Sequence, residues 1–134
     1  MNKYDAITVY LERFERGSFG KWNEHKGTGT SEDPIVLPFF RYDTDVIDFI
    51  EAFYKLGIGD VNYIEHMESL QGKSIDDMSE EELITVLTHY IRGDRFCEGL
   101  IASKLNDGTI QRILRNLREI WKQSWWLSYH WRLH

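Results

Sequence analysis

Apolar positions recur with a helical period along most of this chain, and the breaks in that period mark its elements. Ile7, Tyr10, Leu11 and Phe14 fall at i, i+3, i+4 and i+7, which predicts a first helix over residues 4–16 ended by Gly17. The texture then changes. FGKW and IVLPFFRY, rich in aromatic and β-branched residues, flank the loop-like KGTGTSEDP and suit a short hairpin, with Pro38 making the second strand an edge or bulged one. A second helix over residues 45–56 is capped by Asp43 or Thr44, turns Val46, Phe49, Ile50 and Phe53 inward, and ends before Gly57. From residue 58 to 78 the pattern weakens to a helical turn or two in VNYIEHMESL, then a loop.

Ser79 opens the clearest start signal in the chain. In S-E-E-E the Glu82 carboxylate can reach back to the Ser79 amide, and three acids favour the positive end of the helix dipole. Leu83, Val86, Leu87, Tyr90 and Ile91 form the buried face of that helix. Gly93 interrupts it, and Phe96, Leu100, Ile101 and Leu105 carry the apolar pattern into a further helix closed by Asn106-Asp107-Gly108. Thr109 caps the last helix, where Ile110, Ile113, Leu114, Leu117, Ile120 and Trp121 make one stripe and Arg112, Arg115 and Arg118 lie on another face. The fold class is mainly α: a single-domain helical bundle of about five helices, with a small β-hairpin inserted after the first helix.

Composition narrows the class. A chain of 134 residues is one domain, with residues 1–123 as its globular part and 124–134 as a Trp-rich extension. No apolar run approaches the ~18 residues of a membrane span, and the N-terminus lacks a secretory pattern. The one cysteine, Cys97, excludes an internal disulfide and a Cys-based zinc site, so the expected location is cytoplasmic. The net charge of −6 is uneven: residues 60–82 carry −7 and residues 109–134 carry +4. A generic nucleic-acid binder has a basic footprint over the whole domain, which this chain lacks.

The densest charge lies in HYIRGDRFCEG. His89 and Arg92, Arg92 and Arg95, and Arg95 and Glu98 are each three apart on a helix face. One reading makes this a ligand site in which arginine holds an anionic group and Glu98 accepts a proton or hydrogen bond. The other makes Arg95–Glu98 and Arg92–Asp94 structural ion pairs that pin a helix junction, with Phe96 plugging the core and Cys97 buried. No spacing matches a nucleophile–base pair, a phosphate loop or a metal site, and no cofactor is expected. His66 with Glu65 and Glu68 offers metal donors, but without the repeated Glu-x-x-His of a di-iron bundle.

The end, SWWLSYHWRLH, alternates Trp125, Leu127, Tyr129, Trp131 and Leu133 with mostly polar residues, a strand-like period of two. A helix that continues Leu117 and Trp121 into Trp125 and Tyr129 competes with it. Either way the aromatics are costly to leave in water. They pack back onto the domain or form an interface through Trp125, Trp126, Tyr129 and Trp131, with a protein partner or a second copy as occupant and no membrane. Arg112, Arg115, Arg118 and Lys122 are the one argument for nucleic acid, and pairing of Arg112 and Arg115 with the acidic segment around residues 76–82 argues against it.

RGDRFCEGLIASKLNDGTIQRILRNLREI, with LPFFRYDTDVIDFIEAFY upstream, resembles a family of small uncharacterised bacterial and phage proteins known only as a domain of unknown function. Its pattern, an aromatic PYF-x-Y, then R-x-x-RF-x-EG, then IL-x-x-L, falls here on Pro38 to Tyr42, on Arg92, Arg95, Phe96, Glu98 and Gly99, and on Ile113, Leu114 and Leu117. The resemblance spans residues 4–120. It implies a shared fold and a shared pocket around Tyr42, Arg95 and Glu98, and supplies no reaction. Taken together, the expectation is a non-enzymatic binding or regulatory module acting through protein contacts. The alternative is a binder of anionic small molecules, or a minor enzyme, with a pocket formed by Tyr42, Arg92, Arg95 and Glu98.

Overall fold

Seven helical segments and one hairpin make up the computed structural model, which describes residues 3–23, 27–35, 37 and 39–133, with side chains as far as Gln123. Pro38, His25 and His134 lie outside the described residues. In chain order the elements are α1 (Asp5–Thr8), α2 (Leu11–Phe14), β1 (Gly20–Trp22), β2 (Phe40–Tyr42), α3 (Thr44–Leu56), α4 (Tyr63–Glu68), a 3-10 turn (Ile75–Asp77), α5 (Glu80–Gly93), α6 (Leu100–Asn106) and α7 (Thr109–Leu133). The protein is mainly helical, with a two-stranded antiparallel hairpin early in the chain.

The predicted first helix is two short ones. The Thr8 carbonyl, which an unbroken helix would offer to the amide of residue 12, instead accepts a 2.8 Å hydrogen bond from the Arg118 guanidinium on α7. Tyr10 donates back only three residues, to Ile7 at 3.2 Å. The inward positions survive this break: Ile7, Leu11 and Phe14 are all buried. Phe14 meets Phe49 of α3 edge-on at 5.2 Å and Phe19 at 5.9 Å, with Tyr10 beside them.

Local signals set the boundaries of α3 and α5. Asp43 precedes α3 in extended conformation and Gly57 closes it in the left-handed region, φ 64°. At the start of α5 the Glu82 amide donates to Ser79 Oγ at 3.2 Å and the Ser79 amide to Glu82 Oε1 at 2.9 Å, the predicted capping box. Helix α5 is the central element. It packs against α4, α6 and α7, and Leu83, Leu87, Ile101, Leu105, Ile110, Ile113, Leu114 and Leu117 close the core between them. Burial of these chains is the main term that holds the bundle together.

Helix α7 continues as backbone to Leu133, so the C-terminal segment is helical and the strand reading of SWWLSYHWRLH is set aside. A helix already running through Leu117 and Trp121 needs no new nucleation to extend, and this outweighs an alternation that has no partner strand among the described residues. The side chains of Trp125, Trp126, Tyr129 and Trp131 lie outside the described residues.

Candidate functional site

The hairpin docks on the junction between α5 and α6. Its strands pair Gly20 with Tyr42, Lys21 with Arg41 and Trp22 with Phe40. Side chains alternate across a strand, so Trp22, Phe40 and Tyr42 share one face and Lys21 and Arg41 the other. The aromatic face lies on the junction. Gly99 opens α6 in the left-handed region, φ 84°, and a Cβ built there would come within 3.0 Å of Trp22 Cζ2. Position 99 therefore needs glycine twice, for its backbone and for the indole above it.

Asp94 is the polar anchor of this junction. Its Oδ1 accepts from the Tyr42 hydroxyl at 2.5 Å and from the Ile101 amide at 3.1 Å. The carboxylate thus satisfies a first-turn amide of α6, which otherwise has no capping side chain. Burial, then the hydrogen bond to Asp94 and its charge, push the Tyr42 hydroxyl far above the usual tyrosine range. Tyr42 is in this way a structural tie between hairpin and helices.

The other residues of the charged stretch are not built in. Arg92, Arg95, Phe96, Cys97 and Glu98 are all exposed. Among the described residues no ion pair joins Arg95 to Glu98 or Arg92 to Asp94; the Arg92 guanidinium lies instead over the Tyr63 ring at 5.8 Å. Phe96 is 80% exposed, so it does not plug the core, and Cys97 is not a buried apolar residue. The cause is a turn that resets the helical phase. The Phe96 and Cys97 amides both return to the Gly93 carbonyl, at 2.9 and 3.0 Å, and Leu100 folds back over Gly93. Glu98 and Cys97 line an open groove of about 620 Å³ with Trp22, Phe40, Leu100 and Ser103, while Arg92 and Arg95 stay off its walls.

A second cleft, of about 560 Å³, lies at the opposite end of α5, and the sequence reading did not find it. Asp60, in the α3–α4 connection, is its centre. The Asp60 amide donates to Thr88 Oγ1 at 3.0 Å, which fixes the loop to α5. The Asp60 carboxylate accepts from Thr85 Oγ1 at 2.6 Å and from the Asn62 amide at 2.9 Å, and meets His66 Nδ1 at 2.5 Å. Burial opposes its charge, but the hydrogen bonds from Thr85, His66 and Asn62 prevail and hold the carboxyl below its usual range. The bond to Asp60 and its charge raise His66 in turn. Across the cleft the Tyr4 hydroxyl donates to Glu80, and Lys3 Nζ lies 3.0 Å from the same carboxylate.

With Asp60 holding Nδ1, His66 keeps Nε2 to hold or accept a proton. The Thr85 hydroxyl is occupied by Asp60, and among the described residues no serine or cysteine lines this cleft. The Asp60-x-Asn62 turn is the local sign of this site, since an aspartate commonly caps the amide two residues on. His66, offered with Glu65 and Glu68 as a donor set, turns to Asp60 instead, and among the described residues no group of three or more metal-donor side chains converges.

Three of the cations of α7 have partners among the described residues, and Arg115 is exposed. Arg112 lies 3.7 Å from Asp76, Lys122 lies 3.6 Å from Glu119, and Arg118 is committed to the Thr8 carbonyl. No curated protein and no solved structure matches the chain. A family model does, over residues 1–123, which excludes only the last turns of α7. The chain belongs to the family of unknown function DUF6508.

Proposed function

We propose that this chain is a non-enzymatic binding module that acts through protein contacts, in the cytoplasm of a bacterium or on behalf of a mobile element. One observation carries the reading: apolar side chains gather, exposed, around the docked hairpin. Trp22 is 47% exposed, Ile35, Leu37 and Phe39 are exposed on the chain leading into β2, and Phe96 stands out on the abutting turn. Exposed apolar surface on and beside one element, with exposed Lys21 and Arg41 on the same hairpin, is a usual mark of an interaction site. The aromatics of the α7 extension, Trp125, Trp126, Tyr129 and Trp131, are a second proposed contact for a protein partner or another copy.

Site-specific photocrosslinking in cells tests this. Benzoylphenylalanine placed in turn at Trp22, Phe96 or Trp125 is expected to give discrete protein adducts, and at Glu51 or Lys55 of α3 none. Equal labelling at all positions, or none at the hairpin, overturns the reading. The small-molecule alternative keeps one supporting observation, the place of Glu98 on the groove wall, without an arginine beside it.

A further inference from the structure

Among the described residues β1 has an open edge. Antiparallel strands alternate hydrogen-bonded and non-bonded pairs. The Asn23 amide donates to Phe39 O at 2.7 Å and the Asp43 amide to Phe19 O at 2.9 Å, so residues 19, 21 and 23 point their backbone groups at β2. By the same alternation the amides and carbonyls of Gly20 and Trp22 face away from it. They border a groove of about 800 Å³ lined by residues 17–23 with Phe40, Arg41 and Asn106. Unpaired edge groups beside a groove are a template for another strand.

The charges say which strand fits. Lys21 and Arg41 are direct cross-strand partners, both exposed, and neither has an ion-pair partner among the described residues. Like charges directly opposite are unfavourable in a sheet. On the open side Lys21 falls in a non-bonded pair, where facing side chains come closest. A second copy of β1 would set Lys21 against Lys21. An acidic residue would instead face Lys21 on the side of the sheet that also carries Arg41. Its two neighbours would lie on the opposite side, the side that carries Phe40 and Trp22.

We propose that β1 accepts an extended peptide of the form apolar–acidic–apolar as a third strand. This rests on the protein-contact reading above and names its partner chemistry. The test is an amide NMR titration of the full chain with the acetylated heptapeptide Gly-Thr-Val-Glu-Val-Thr-Gly. The Gly20 and Trp22 amides are expected to shift most. Replacing the peptide's Glu by Lys should weaken binding roughly tenfold or more, and the exposed double variant Lys21→Glu/Arg41→Glu should reverse that preference. Equal binding of both peptides, shifts confined to the Asp60 cleft, a β1-mediated dimer, or selective binding of an oligonucleotide in place of the peptide would overturn the proposal. Hairpin crosslinks that persist alongside any of these results would leave the broader reading standing.

Discussion

Helix α5 has a charged segment at each end, and the two ends have opposite fates. At the N-terminal end Glu80 meets Tyr4 and Lys3, Glu82 meets Ser79 and Lys73, and Asp60 is joined to Thr85 and His66. At the C-terminal end Arg95 and Glu98 extend into solvent, Arg92 lies over the Tyr63 ring, and among the described residues Asp94 is the one of these charged groups hydrogen-bonded to the fold. Charge density along a sequence does not measure charge organisation in space. A polar network forms where distant segments bring acceptors and donors together, and at the far end of α5 one segment, the hairpin, supplies one such partner.

The largest effect should come from the one anchored residue. Asp94→Ala removes the acceptor of both the Tyr42 hydroxyl and the Ile101 amide, and should cost about 2 kcal/mol in chemical denaturation. A loss below about 0.5 kcal/mol would mean the two ends are equally loose.

A smaller, pH-dependent effect should mark the other end. Asp60 is lowered by folding, so its contribution is present above its unfolded pKa of about 3.9 and lost as pH falls through the folded value. His66 is raised, so its contribution is complete below its unfolded pKa of about 6.5 and lost as pH rises through the folded value. Thermal midpoints of the protein and His66→Gln should therefore differ most between about pH 4.5 and 6.5 and converge above neutrality. A gap that widens in alkali would sink this account of the pair.

The smallest effect is expected at the residues most prominent in the sequence. Arg95→Ala and Glu98→Ala should each change stability by no more than about 0.5 kcal/mol, since both are exposed and neither has an ion-pair partner among the described residues. Several kcal/mol lost at either position would restore the buried ion pair.

The same contrast explains what the sequence reveals. The capping box at Ser79, the end of α3 at Gly57, the hairpin flanks and the stripe of α7 are encoded within a few residues, and each stands where the pattern places it. The Asp60–Thr85 and Tyr42–Asp94 bonds join residues 25 and 52 apart, and no local period carries that information. The split of the first helix has the same origin, because the Arg118 group that takes the Thr8 carbonyl is 110 residues away. Phe96 went astray for a different reason. A helical phase was carried through Gly93 into a turn that does not keep it, so an apolar residue expected inside stands outside. Of the predicted pocket residues, Tyr42 serves as a tie and Glu98 lines a groove.

The indole of Trp22 resting on Gly99 has a spectroscopic consequence. An aromatic ring shifts the resonances of nuclei held close to it, and Gly99 carries only α-protons where any other residue would carry a shielding side chain. Those protons lie within the ring-current field only while the hairpin is seated. Their chemical shift is a built-in gauge of hairpin docking, readable without a label in the intact chain and in every variant named above.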